Sequence, residues 1–197
     1  MPATDGPSSR RSLAAILALG LAALGVCGTA AGGPQGEARR ARVEGAFLVN
    51  FIRFTEWPRA RFDGARAPYV VVVVGSESVA DAVREVAEAA GPVQGRRVTV
   101  TQVDGDHLRR RRDVLRASHL VFVDRSGGVA AQEVIALLEG TSVLTVGDSA
   151  GFVRAGGMLG LVASRSRVGF VANPAAIRTG GLAVSAKVLK LAQDTTP

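Results

Sequence analysis

The stretch YVVVVVGSESVADAVREVAEAAG, Tyr69–Gly91, decides the fold. Tyr69 leads an unbroken β-branched run, Val70–Val74, closed by Gly75, the pattern of a strand buried on both faces. The valine- and alanine-rich segment after it reads as a helix. The same pairing recurs downstream. RVTVTQV (Arg97–Val103) leads to the arginine-rich DHLRRRRDVLRAS (Asp106–Ser118), HLVFVD (His119–Asp124) leads to VAAQEVIALLEG (Val129–Gly140), and SVLTVGD (Ser142–Asp148) closes the series. Short strands separated by helical segments predict βαβ crossovers, hence a single α/β domain with a mostly parallel sheet.

Beyond Gly151 the pattern changes. GMLGLVA (Gly157–Ala163) and RVGFVAN (Arg167–Asn173) predict a β-hairpin on the sheet edge, followed by a final helix capped by Asn173 and begun by Pro174. Within that helix the Gly180-Gly181 pair predicts a bend or a split. Upstream, Phe47, Phe51 and Phe54 recur with Leu48 and Ile52 on one helical face, and Trp57-Pro58 is expected to stop that helix.

The N-terminus has the order of a secretory signal. Arg10 and Arg11 precede the apolar run Leu13–Val26 and a small-residue stretch, which predicts export with cleavage near Ala31, so residues 1–31 are set apart from the fold. The run is shorter than the roughly 20 apolar residues a bilayer span requires. Residues 32–42 read as a flexible tether, residues 43–192 as the domain and residues 193–197 as a tail. Cys27 is the single cysteine, so a chain cleaved after it has no disulfide and must draw its stability from its core. The formal net charge is +7. An export signal argues against a nucleic-acid partner for that surplus, and Arg109–Arg112 reads as a solvated helix face or a contact for an acidic partner.

Gly147-Asp148-Ser149-Ala150-Gly151 fits the spelling of a serine hydrolase nucleophile elbow. The elbow needs a following helix and a later histidine, whereas Ser149 is followed by glycines and a strand, and His107 and His119 both precede it. The order His119, Asp124, Ser149 belongs to an unrelated β-barrel fold. A tight turn with Asp148 bonding to backbone amides is the preferred reading. Glycine-rich phosphate loops are absent from the sequence, Asp104, Asp106 and His107 read as a polar turn, and His119 reads as a satisfied edge residue. No catalytic residue, metal site or cofactor is expected.

Four segments in register, AFLVNFIRFTEWP, HLVFVD, VLTVGDSAGFVRAGGMLGLV and RVGFVANPAAIRTGGLAVSAKVLKLA, resemble the YfiR family of exported proteins over about residues 43–192. The matching positions are Phe47, Phe51, Phe54, Trp57 and Pro58; Asp148, Gly151, Phe152, Gly156, Gly157 and Met158; and Phe170 and Asn173. The resemblance implies a periplasmic α/β protein, a homodimer without catalysis, that restrains a membrane sensor by contact with its periplasmic segment. In the best-known member that sensor is a diguanylate cyclase, which ties the family to cyclic-di-GMP and biofilm control. A second reading is a ligand-binding module whose small molecule sets the state of a TonB-dependent receptor or hybrid sensor kinase. The disulfides that give the best-known member redox control have no counterpart after Cys27. Phe152, Arg154 and Met158, on a turn at the sheet edge, are the expected contact residues for a partner.

Overall fold

Val71 and Val73 project from one face of β2 (Tyr69–Val74), Val72 and Val74 from the other, and all four are completely buried. A strand can bury both faces only if elements cover both, and the chain supplies them in turn. The computed structural model describes residues 33–163 and 168–193; the expected export segment lies outside them. On the face of Val71 pack α1 (Pro34–Arg53) and α2 (Glu77–Ala90), joined by Leu120 and Phe122 from β4 (Leu120–Val123) and Leu144 and Val146 from β5 (Leu144–Gly147). On the face of Val72, α3 (Arg112–Ala117) and α4 (Ala131–Leu138) bring Leu115, Val134 and Leu138.

With β3 (Val98–Val103), β6 (Leu159–Ala163) and β7 (Val168–Ala172), the sheet runs in the order β3-β2-β4-β5-β6-β7. All neighbours are parallel except the β6–β7 hairpin, which forms one edge as the sequence predicts. The two principal helices touch where Gly45 meets α2: a Cβ there would stand 3.0 Å from the Ala82 carbonyl carbon and oxygen, so a side chain would push the helices apart by a few tenths of an ångström.

Several expectations are corrected. The tether expected over residues 32–42 gives way to helix from Pro34 onward. Ala41 is buried and Arg40 is fastened by carboxylates, and these tertiary contacts extend the helix through a glycine-containing segment that composition marks as loop. The helix also ends earlier than Trp57-Pro58. It stops at Arg53 with Phe54 as cap, because Thr55–Glu56 (β1) pairs antiparallel with Ala183–Val184 (β8).

The arginine-rich segment is helical only from Arg112, after a 3₁₀ turn at Gly105–His107. The final helix is split, as the glycine pair suggested, into α5 (Pro174–Thr179) and α6 (Ala186–Leu189), with β8 between. At the C-terminal boundary, the Gln193 N–H donates to the Phe170 carbonyl at 2.8 Å, which ties that residue to β7 rather than leaving it in a tail.

Candidate functional site

In a parallel sheet the carboxyl ends of the strands gather at one edge, where open α/β folds place their ligands. Here β4 runs into Asp124 and β5 into Asp148, in adjacent register, and both carboxylates are buried. Asp124 caps the 3₁₀ turn Arg125–Gly127 by accepting from the Ser126 N–H at 2.7 Å and from the Ser126 hydroxyl. Asp148 Oδ1 accepts from the Arg125 N–H at 2.7 Å, and its Oδ2 lies 3.4 Å from Arg125 Nε. Asp148 therefore bonds a backbone amide, but that of Arg125 after the neighbouring strand rather than one in its own turn.

Helix α1 completes the arrangement. Arg40 Nε donates to Glu44 Oε1 at 2.7 Å, while its Nη2 bonds Asp148 and stands 3.4 Å from Asp124 Oδ2. One guanidinium thus joins three buried carboxylates from three elements and pins the N-terminal half of α1 to the strand ends. Burial pushes the Glu44 carboxyl up to about 7, with the charges of Asp148 and Asp124 adding and the Arg40 bond opposing. Burial also raises Asp148 above its ordinary value, against the pull of the Arg125 N–H. Glu44 Oε2 is buried without a hydrogen-bond partner, in keeping with a carboxyl held near its protonated form.

Arg40 and Glu44 are the residues that sequence reading missed. Their signal is the spacing Ala41, Gly45, Leu48, Ile52, which extends the apolar face of the phenylalanine helix back by a full turn.

Next to this network lies a cleft of about 370 Å³, lined by Arg125, Asp148 and Ser149, by the turn through Arg154, and by Leu161, Val162 and Val171 of the hairpin. The turn is built on Phe152, which is 1% exposed. Its ring lies over the backbone of Gly147 and Gly157, and a Cβ on either glycine would fall inside the ring's contact distance. Gly151 and Gly156 have φ of +85° and +104°, conformations that side-chain-bearing residues adopt only with strain.

The expected contact residues therefore divide. Phe152 and Met158 are core and cannot offer their side chains to a partner; Arg154 is exposed at the cleft.

The remaining motif positions are mostly structural. Phe51 packs edge-on to Phe170 at 5.2 Å and against Phe47 at 5.8 Å. The Asn173 side chain caps α5 by accepting from the Ala176 N–H at 2.9 Å. Trp57 Nε1 donates to the His119 carbonyl at 3.1 Å. His119 is an interior residue rather than an edge one: its Nδ1 accepts from the Val70 N–H at 3.0 Å, and its ring stacks on Phe62 at 4.5 Å. Burial, reinforced by the Arg61 charge, lowers its pKa to about 4. Pro58 is exposed and leads into the turn Arg59–Arg61.

His119 precedes β4 and Ser149 follows β5, so the two stand at opposite ends of a parallel pair and no His119–Asp124–Ser149 relay can form. Asp104, Asp106 and His107 lie together on an exposed turn, and Arg109 pairs with Glu133 at 3.2 Å. No helix among the described residues is long and apolar enough to cross a membrane.

The YfiR/HmsC-like family model (DUF4154) matches residues 41–193, nearly the whole described domain. The chain belongs to the YfiR/HmsC-like family. The match begins within α1 just after Arg40 and ends at Gln193, the residue that ties back to β7. No curated protein sequence matches the chain. Among solved structures, a conserved domain protein of Vibrio cholerae O1 biovar El Tor is similar at 11% identity and a TM-score of 0.53, over 79% of this chain and 60% of that one. The ABC domain from Streptococcus pneumonia, in complex with L-Trp, is similar at 14% identity and a TM-score of 0.52, over 65% and 55%. The chain thus aligns with 60% or less of each of these structures, and the likeness is one of α/β fold.

Proposed function

We propose that this protein is an exported, non-enzymatic regulator that binds and restrains the periplasmic segment of a membrane sensor, a diguanylate cyclase, in cyclic-di-GMP signalling, and that it acts as a homodimer. The observation that carries this reading is membership of a family of regulators over residues 41–193. The burial of Phe152 and Met158 moves the proposed contact to polar groups at the mouth of the cleft, Arg154 and Arg125, which suit an acidic partner segment. Redox control has no place in this mechanism, because Cys27 is the sole cysteine and precedes the domain.

The cleft itself favours a second reading, a ligand-binding module acting on a TonB-dependent receptor or hybrid sensor kinase. Binding of the purified protein to the periplasmic segment of the sensor encoded beside it, measured by calorimetry, tests the first reading. A saturable complex that Arg154→Glu weakens at least about tenfold supports it. No binding to a cyclase segment overturns it.

A further inference from the structure

We propose that β3 (Val98–Val103) is where two copies of this chain join, pairing antiparallel about Val100 so that their two sheets become one. The proposal rests on the homodimer reading above and names the surface that serves it.

β3 ends the sheet and pairs with β2 alone. The Tyr69 N–H donates to the Arg97 carbonyl and the Gly75 N–H to the Val103 carbonyl, so in this parallel register the remaining ladder bonds to β2 fall to Thr99, Thr101 and Val103. The main-chain groups of Val98, Val100 and Gln102 therefore point outward, and no hydrogen bond reaches them among the described residues. Thr99 and Thr101 are exposed as well, so the edge and the face beside it are bare.

A sheet keeps a free edge from pairing by blunting it with charge, proline or a bulge. The run VTVTQV has no charge and no proline, and its register with β2 is unbroken. The opposite edge is closed by the chain itself, where the Gln193 N–H donates to the Phe170 carbonyl of β7.

The ends of β3 select the occupant and its direction. Arg97 precedes the strand, Asp104 and Asp106 follow it, and all three are exposed. An antiparallel second copy sets Arg97 of each chain beside the acidic turn of the other, whereas a parallel one would set like charges together. Centred on Val100, the pairing gives Val98, Val100 and Gln102 their missing hydrogen bonds and places Thr99 opposite Thr101 of the second copy. The contact is its own complement, so it closes at two chains.

The test joins sedimentation equilibrium with residue-resolved amide exchange on the purified full chain. The wild type should sediment at twice the 20.3 kDa of one chain, with the amides of Val98, Val100 and Gln102 as protected as those of Thr99 and Thr101. In a monomer those three exchange fast, alternating with protected neighbours. Thr99→Lys together with Thr101→Lys, both at exposed positions, sets like charges opposite one another; it should weaken the dimer at least about tenfold and restore the alternation while the fold is kept. Arg97→Asp should weaken the dimer too, and Arg97→Asp with Asp104→Arg should regain it to within about threefold. A dimer that tolerates the two lysine substitutions, or fast exchange at the three amides within a dimer, would overturn the assignment to β3 and leave the homodimer reading standing. A wild-type monomer at every concentration would overturn both.

Discussion

Replacing Phe152 by alanine should be among the most damaging single changes in the domain. The ring is 1% exposed, and two of its walls are the bare backbones of Gly147 and Gly157. Phe→Ala in a core costs about 3–5 kcal/mol, depending on how far the surroundings collapse into the void. Backbone held in β5 and just ahead of β6 has little freedom to move in, so about 4 kcal/mol is expected. At about 2–4 °C per kcal/mol for a domain of this size, that is a fall of about 8–16 °C in Tm.

The converse change, Gly157→Ala, should cost about 1–3 kcal/mol through overpacking, since Gly157 has an ordinary φ and the atoms nearest the new methyl are those of the ring. In the Phe152→Ala background that clash disappears, and the second substitution should be nearly neutral. Urea unfolding of the two single variants and the double variant measures all three terms. A Phe152→Ala loss below about 1 kcal/mol, or additivity within about 0.5 kcal/mol, would refute the packing argument.

Phe51→Ala should cost about 3–5 kcal/mol, because Phe51 is 2% exposed against Phe47 and Phe170; near-wild-type stability would place that face outside the core. Ser149→Ala should change stability by less than about 0.5 kcal/mol and leave function intact, and loss of function together with wild-type esterase activity would restore the hydrolase reading. Glu44, with its folded pKa raised to about 7, retains its proton where the unfolded chain has lost it, so it makes stability fall as pH rises from about 4.5 to about 7. His119, lowered to about 4, does the opposite, and stability rises with pH from about 4 to about 6.5. The two slopes oppose each other across their shared window, and Glu44→Gln should uncover the rise, up to about 1.4 kcal/mol per pH unit; an unchanged pH profile would contradict the assignment of Glu44.

The parallel core was legible because β2 and β4 are apolar on both faces, and a run such as Tyr69–Val74 suits little else. The hairpin was legible from two strand-like runs joined by a short polar link, and the split after Thr179 from the Gly180-Gly181 pair. What stayed hidden depended on partners distant in sequence. Arg40 draws its meaning from Asp124 and Asp148, which lie 84 and 108 residues away, and a segment with glycine on both sides of a proline reads as loop until those carboxylates are in place. Thr55–Glu56 is strand only because Ala183–Val184 comes back to meet it. Phe152 reads as a surface aromatic on a glycine turn, since no local pattern reveals that the flanking glycines are its seat.

The most direct test of the account is intracellular cyclic-di-GMP in a strain lacking the gene, complemented in turn with the wild-type protein and with Arg154→Glu. The account predicts that deletion raises cyclic-di-GMP, that the wild type restores it, and that an exported and folded Arg154→Glu protein does not. Unchanged cyclic-di-GMP on deletion, in a strain whose neighbouring cyclase is active, would contradict it.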